Sequence, residues 1–94
     1  MTSTEAPWTI LSRETQSDLI RLLLEVAEYA GPGYRPIAAD WQGLYLLGEI
    51  ELVTYGPEPL GTYGPDGREE YGSIVHLTEY GKEEVEALRW RAAA

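Results

Sequence analysis

Apolar side chains recur at helical spacing in the first half of the chain and predict two helices. The first apolar stripe is formed by Leu19, Leu22, Leu23 and Val26. Ser12 precedes the stripe as a suitable N-cap, and the Gly-Pro-Gly sequence of residues 31–33 follows it. We therefore expect the first helix to run from residue 12 or 13 to Tyr29.

A second helix is expected from Pro36, which suits a first helical turn, to Leu47. Its apolar face consists of Ile37, Trp41, Leu44 and Leu47. Gly48 is placed to end this helix as a left-handed C-cap. Gly43 is a poor helix former and is expected to mark a close approach to the first helix.

The pattern then changes to one typical of strands. Residues 49–55 have a composition typical of strands, with acidic and apolar side chains alternating over residues 49–52, and residues 68–77 carry a second apolar group back toward the core. Between them, Pro65-Asp66-Gly67 predicts the tip of a long β-hairpin. Pro57 and Pro59 lack an amide N–H, so we expect a bulge or bend there instead of a regular ladder.

Thr78 is a natural N-cap for a last helix that is expected to run to about Arg91. The whole pattern predicts one small α+β domain at residues 8–92, with two N-terminal helices, a long β-hairpin and a C-terminal helix. Residues 1–7 are expected to form a flexible tail. Behind them, Trp8, Ile10 and Leu11 are expected to pack on the body of the domain.

Two segments resemble the winged-helix domain of bacterial and archaeal transcription regulators. Residues 44–52, LYLLGEIEL, resemble the end of a recognition helix entering the wing, and residues 76–83, HLTEYGKE, resemble the exit from the wing into the last helix. The resemblance covers about half of the chain and implies a winged-helix fold, DNA binding and a role in transcription. We expect a homodimer, because one copy offers too little positive surface for a specific DNA site. The family has two helices between its first helix and its wing. Residues 31–47 leave room for one, so we expect a shortened helix-turn-helix.

The charge of the chain bears directly on DNA binding. Sixteen acidic and seven basic residues give a net charge of −9, which opposes association with a phosphate backbone. Base readout and phosphate contact depend mainly on Arg, Lys, Asn and Gln. Near the expected recognition helix and wing, the residues of these types are Arg35, Gln42 and Arg68, which are our candidate nucleic-acid contacts.

The hairpin also carries a candidate surface for protein interaction. Tyr55, Tyr63 and Tyr71 offer large contact areas at low entropic cost. The alternative is that these rings pair across the ladder and stabilise the hairpin. A second functional hypothesis is therefore an acidic winged-helix module of the antirepressor or DNA-mimic type, which binds a basic protein partner through this wing.

Nothing in the sequence predicts catalysis, a cofactor or a metal. His76 is the only histidine, and the sequence indicates neither a carboxylate partner nor a nucleophile for it, so we interpret it as structural. The glutamates of the last helix, Glu79, Glu83, Glu84 and Glu86, are interpreted as a solvated face. We expect a non-enzymatic protein. Because the chain has no cysteine and no apolar run long enough for a membrane span, we expect it in the cytoplasm.

Overall fold

A computed structural model of the protein describes residues 12–93, with Ala93 described by its backbone alone. The elements, in chain order, are α1 (Arg13–Glu28), a 3-10 turn (Ala38–Asp40), α2 (Trp41–Glu49), β1 (Val53–Tyr63), β2 (Glu69–Leu77) and α3 (Glu79–Ala93). The two strands form an antiparallel hairpin, so the predicted α+β class is confirmed. The tail predicted at residues 1–7 and the apolar group at Trp8, Ile10 and Leu11 lie outside the described residues.

The core forms where α1, α2, the base of the hairpin and α3 meet. Its buried members include the predicted stripe of α1 (Leu19, Leu22, Leu23, Val26), Leu44 and Leu47 of α2, and Leu52, Val53, Val75 and Val85. The Ser12 hydroxyl accepts the Thr15 N–H at 3.2 Å, as expected of an N-cap. A Cβ on Gly43 would lie 2.7 Å from a methyl carbon of Leu22, which confirms the close approach of α2 to α1.

The second helix begins and ends later than the sequence predicts. The Asp40 carboxylate accepts the Ile37 N–H at 2.9 Å and holds a 3-10 turn, so the α-helix itself starts at Trp41 and not at Pro36. At the other end, Gly48 lies within α2, and the left-handed residue is Glu51, with φ of 63°. The prediction of Gly48 as the left-handed C-cap was therefore wrong.

The physical reason lies in Leu47 and Leu52, both fully buried. The Leu52 N–H donates to the Leu47 carbonyl at 2.9 Å, and the Glu51 N–H donates to the Gly48 carbonyl at 3.0 Å. This pair of bonds is a Schellman motif, which usually brings an apolar contact between the two outer residues. Burial of Leu52 places the left-handed turn at Glu51, although a non-glycine residue there costs roughly 1–2 kcal/mol.

Gly48 has a different role from the predicted one. A Cβ at this position would lie 3.1 Å from the ring of Tyr55, so the absence of a side chain lets that ring rest against α2. β1 accordingly starts at Val53, after the turn, and not at Glu49.

The hairpin ladder runs from Val53↔Leu77 to Pro59↔Tyr71 and resumes at Tyr63↔Glu69. Pro57 and Pro59 are both paired with residues of β2, so the prediction of a bulge or bend at these two prolines was wrong. The register shifts between Pro59 and Tyr63 instead, where Gly61 has a φ of +77°. The predicted tip is confirmed: the Gly64 N–H donates to the Arg68 carbonyl at 2.8 Å, and Gly67 has a φ of +78°.

One residue outside the hairpin pairs with β2. Tyr34 and Val75 exchange backbone hydrogen bonds in both directions, each 2.9 Å long, in an isolated antiparallel bridge. Gly33, just before it, is buried with φ of +95°, and a Cβ there would collide with the side chains of Ile74 and His76. The connection between α1 and α2 is therefore held against the hairpin by backbone contacts.

The two ends of the hairpin are joined at one place, which we call the hairpin junction: Glu51, Leu52, Thr78 and Gly81. The Thr78 hydroxyl accepts the Gly81 N–H at 2.9 Å, as predicted for the N-cap of α3, and donates to the Glu51 carbonyl at 2.6 Å. The Thr78 N–H donates to the Leu52 carbonyl at 3.1 Å. Gly81 is buried so close to that carbonyl that a Cβ would overlap its oxygen.

We predict that Thr78→Val lowers the free energy of unfolding by about 1–2 kcal/mol, because it removes the cap of α3 and leaves the Glu51 carbonyl without its donor. Urea unfolding measures this loss. Thr78→Ser is the matched control, since it keeps the hydroxyl, and we expect it to retain most of the stability. Equal midpoints for the Val variant and the unaltered protein would contradict the assigned role of the hydroxyl.

Candidate functional site

One face of the hairpin carries the three tyrosines that the sequence singled out. Residues directly opposite each other in an antiparallel ladder share a face, as do alternate residues of one strand. Tyr55 lies opposite Val75, Pro59 opposite Tyr71, and Tyr63 opposite Glu69. This register puts five side chains on one surface, which we call the Tyr–Pro face: Tyr55, Pro57, Pro59, Tyr63 and Tyr71.

Exposure increases along the Tyr–Pro face from the body of the protein toward the tip. Tyr55 is 38% exposed, whereas Tyr71 and Tyr63 are 62% and 68% exposed. Pro57 and Pro59 between them are also exposed. None of these tyrosines lies directly opposite another: Tyr55 lies opposite Val75, Tyr71 opposite Pro59 and Tyr63 opposite Glu69.

The base of the Tyr–Pro face is anchored by an aromatic cluster of Trp41, Tyr45 and Tyr55. The ring of Tyr55 meets Trp41 edge-to-face at a centroid distance of 5.4 Å and Tyr45 at 6.1 Å. Trp41 and Tyr45 are 5.5 Å apart on successive turns of α2. Contacts of this geometry stabilise by about 0.5–1.5 kcal/mol beyond the area they bury. Tyr55 is thus partly structural, whereas Tyr63 and Tyr71 are largely exposed.

Acidic side chains border this face at both ends. Glu49 and Glu51 line a shallow depression beside Tyr45 and Tyr55, between α2 and the start of β1. Near the tip, Glu69 lies directly opposite Tyr63. All three carboxylates are exposed, so negative charge borders the aromatic surface at both ends.

The three candidate nucleic-acid contacts lie at separate places. Arg35 donates from Nη2 to the Leu60 carbonyl at 3.0 Å, on the middle of β1. Arg68 is at the tip, where its side chain is 88% exposed and lies 3.6 Å from the Asp66 carboxylate. Gln42 is on α2, in the cleft between that helix and α1.

The surroundings of Gln42 are acidic. The cleft has a volume of about 570 Å³, and its charged lining residues are Asp18, Arg21, Glu25 and Asp40. Among the described residues that line it, the one cation is Arg21, which lies 3.5 Å from the Asp18 carboxylate. A phosphate entering this cleft would meet more carboxylates than cations.

His76 has a partner that the sequence did not reveal. Its Nε2 lies 2.8 Å from Oε2 of Glu58 on the other strand, and both side chains are partly exposed. The sequence-based statement that no carboxylate serves His76 is therefore corrected. Among the described residues, Glu58 is the one hydrogen-bond partner of the imidazole, and no nucleophile joins the pair. The contact links β1 to β2.

Glu79, Glu83 and Glu86 of α3 are exposed, as expected, whereas Glu84 is half-buried and one of its carboxylate oxygens is shielded from solvent without a hydrogen-bond partner among the described residues. Glu79 pairs with Lys82 at 3.2 Å. Within residues 12–93, no three His, Asp or Glu side chains converge in a way that could hold a metal ion. Over the same residues, none of the helices combines the length and the apolar character needed to cross a bilayer.

Tyr34 forms the most strongly perturbed ionisable site. Its side chain is 6% exposed, and its hydroxyl lies 2.6 Å from Asp40 and 3.3 Å from Glu25. Burial raises the pKa of Tyr34 well above its ordinary value of 10.0, and the hydrogen bond and negative charge of Asp40 raise it further. The neutral phenol joins α1 to the turn before α2.

Four features of the site were not predicted from the sequence, and two of them have a signal in it. The spacing of Tyr55, Pro57 and Pro59 at alternate positions is a signal that could have placed them on one face. Tyr45, four residues after Trp41 on the same helix, could likewise have been added to the aromatic cluster. The pairs of His76 with Glu58 and of Tyr34 with Asp40 depend on the folded geometry and have no comparable signal.

Comparison with protein-family models, with curated proteins and with solved structures finds no match for this chain.

We predict that Tyr34 makes stability fall at alkaline pH. Its pKa is higher in the folded than in the unfolded protein, so its contribution is complete below pH 10.0 and is lost as the pH rises through that value toward the folded pKa. Urea unfolding between about pH 8 and about pH 11 measures the decline.

The matched variant is Tyr34→Phe, which keeps the ring and removes the titrating hydroxyl. All other ionisable side chains are the same in both proteins, so the difference between the two curves isolates Tyr34. The difference should shrink with rising pH. Parallel curves would contradict the prediction.

Proposed function

We propose that this protein is a non-enzymatic interaction module that binds a basic segment of a partner protein with its Tyr–Pro face. The observation that carries the proposal is the exposure of Tyr63 and Tyr71, 68% and 62%, on one face of a hairpin whose base is fixed by the hairpin junction. The absence of cysteine fits action in the cytoplasm.

Binding is favoured when little conformational entropy is lost in ordering the contact surface. Tyrosine presents a large amphipathic ring with few rotatable bonds, and proline has almost no side-chain entropy to lose. A surface of alternating Tyr and Pro on a hydrogen-bonded ladder is therefore ordered before a partner arrives. Tyr63 and Tyr71 contribute little to the core, so contact with a partner is the function that explains their place.

Charge selects the partner. Glu49, Glu51 and Glu69 border the face, and the chain as a whole carries −9. Guanidinium and ammonium groups interact favourably with carboxylates and with the faces of Tyr rings, the latter by about 0.5–1 kcal/mol at exposed sites. A basic segment is attracted by both, whereas a nucleic acid or an acidic protein is repelled.

We predict that Tyr63→Ala and Tyr71→Ala each weaken binding of a short arginine-rich synthetic peptide by roughly tenfold, because each removes an exposed ring that contacts the ligand. Both variants should stay within about 0.5 kcal/mol of the unaltered protein in stability. Fluorescence anisotropy at low salt gives the affinity, and thermal unfolding gives the stability.

Tyr55→Ala is the informative comparison. It removes the ring that packs on Trp41 and Tyr45, so we expect a loss of about 1–3 kcal/mol of stability. If Tyr63→Ala and Tyr71→Ala unfold the protein to the same extent, those rings are structural and the proposal fails. Unchanged peptide affinity in both variants would also sink it.

The second candidate function is a DNA-binding regulator of the winged-helix type, acting as a homodimer. The order of helix, helix, hairpin and helix supports it, as does the exposed side chain of Arg68 at the hairpin tip. Against it stand the separation of Arg35, Gln42 and Arg68 and the carboxylates around Gln42. One copy offers little positive surface for phosphate contacts.

We predict no mobility shift of random or promoter-rich DNA at low salt and at tens of micromolar protein, since the negative potential around the candidate contacts repels phosphate. A shift would favour the second candidate. In that case Arg68→Ala should weaken binding alike for all DNA sequences, and the matched Glu70→Ala should not weaken it.

A further inference from the structure

The two outer edges of the hairpin differ in their backbone groups. Both the N–H and the C=O of Val75 are bonded to Tyr34, so at Val75 the backbone groups of β2 point away from β1. In an antiparallel ladder these outward positions alternate with positions bonded to the partner strand. Ser73, Tyr71 and Glu69 therefore point their backbone groups outward as well, and so do the residues opposite them on β1.

On β1, the outward positions opposite Ser73 and Tyr71 are Pro57 and Pro59. Proline has no N–H, and its ring occupies the place from which a donor would reach a neighbouring strand. Their outward positions also explain why both prolines fit the ladder, since a residue at such a position donates no hydrogen bond to β2. The outer edge of β1 is closed to a further strand.

The outer edge of β2 is open. Within residues 12–93, Tyr34 is the one residue that pairs with it, and it does so at Val75. The next residue that could bond to β2 is Pro36, two residues after Tyr34 and opposite Ser73. Pro36 has no N–H, so it cannot continue the bridge there. The outward N–H and C=O groups of Ser73, Tyr71 and Glu69, on exposed residues, are left without a paired strand beside them.

We propose that the outer edge of β2 accepts an extended basic segment of a partner protein as an added strand. This inference rests on the proposed function and names its mode of binding. Backbone hydrogen bonds would hold the segment in register, and its alternate side chains would fall on the two faces of the hairpin.

The two faces select different side chains. Residues of the added strand on the Tyr–Pro face lie beside the ring of Tyr71 and the carboxylate of Glu69, which favours arginine or lysine. Those on the opposite face lie beside Gly72, which has no side chain and lies against the side chain of Leu60. A compact apolar residue suits that position. The segment recognised is one in which basic and apolar residues alternate.

The probe is a short synthetic peptide of alternating arginine and valine, added to the full chain. Two protein pairs test the edge: Ser73→Pro against Ser73→Ala, and Glu69→Pro against Glu69→Ala. Each pair deletes the same side chain, and only proline deletes the outward N–H. We expect each proline variant to bind the peptide on the order of tenfold more weakly than its alanine partner. Circular dichroism establishes that each variant is folded.

A second arm alters the peptide and leaves the protein unchanged. The same peptide with N-methyl groups on alternate amides keeps its charge and side chains but loses strand donors, so it should bind at least tenfold more weakly. This experiment tests the added-strand inference even if a proline variant fails to fold. Equal affinity for the methylated and unmethylated peptides would overturn the inference.

The outcomes separate the two proposals. If Tyr63→Ala and Tyr71→Ala weaken binding while methylation has no effect, the Tyr–Pro face binds without an added strand and only this inference fails. If neither the tyrosine substitutions nor the methylation weakens binding, the proposed function fails together with this inference. Analytical ultracentrifugation tests for a dimer whose amount depends on concentration. If Ser73→Pro abolishes such a dimer and Ser73→Ala does not, the edge binds a second copy of the chain, and the inference of a basic partner is overturned.

Discussion

The base of the hairpin is closed by the hydroxyl of Thr78, and the rest of the structure depends on that closure. This one group caps α3 and donates to the Glu51 carbonyl, while the Thr78 N–H donates to the Leu52 carbonyl. Leu52 is buried in the core, so the start of β1, the end of β2 and the first turn of α3 share one fixed point. A long two-stranded hairpin is marginally stable on its own. Joined in this way, it can hold exposed rings well away from the core.

Much of this fold could be predicted from local pattern. Helical spacing located α1, Thr78 had the sequence of an N-cap, and Pro65-Asp66-Gly67 marked the hairpin tip. The errors came where a tertiary contact overrode a local preference. Glycine is the usual left-handed residue, yet burial of Leu52 moved that conformation to Glu51 and left Gly48 to accommodate Tyr55. Prolines usually interrupt a ladder, yet Pro57 and Pro59 are paired because their missing donors face outward.

The candidate surface was harder to predict than the fold. The tyrosines were evident as a set, but composition does not distinguish Tyr55, which packs on Trp41, from Tyr63 and Tyr71, which are largely exposed. That distinction requires the register of the ladder and the position of α2. The carboxylate beside His76 also depends on folded geometry, because eighteen residues separate it from Glu58 in the chain. Side chains so far apart carry no periodic signal for their contact.

The prolines of β1 have a consequence for how molecules of this kind can assemble. A sheet with two open edges can add strands without limit, which is the geometry of a fibre. Here the donors of one edge are removed at Pro57 and Pro59, so only the other edge can grow. If two copies met through their β2 edges, the resulting sheet would end in proline on both sides and growth would stop. Strand pairing between copies is thus self-limiting, which guards an exposed hairpin against polymerisation.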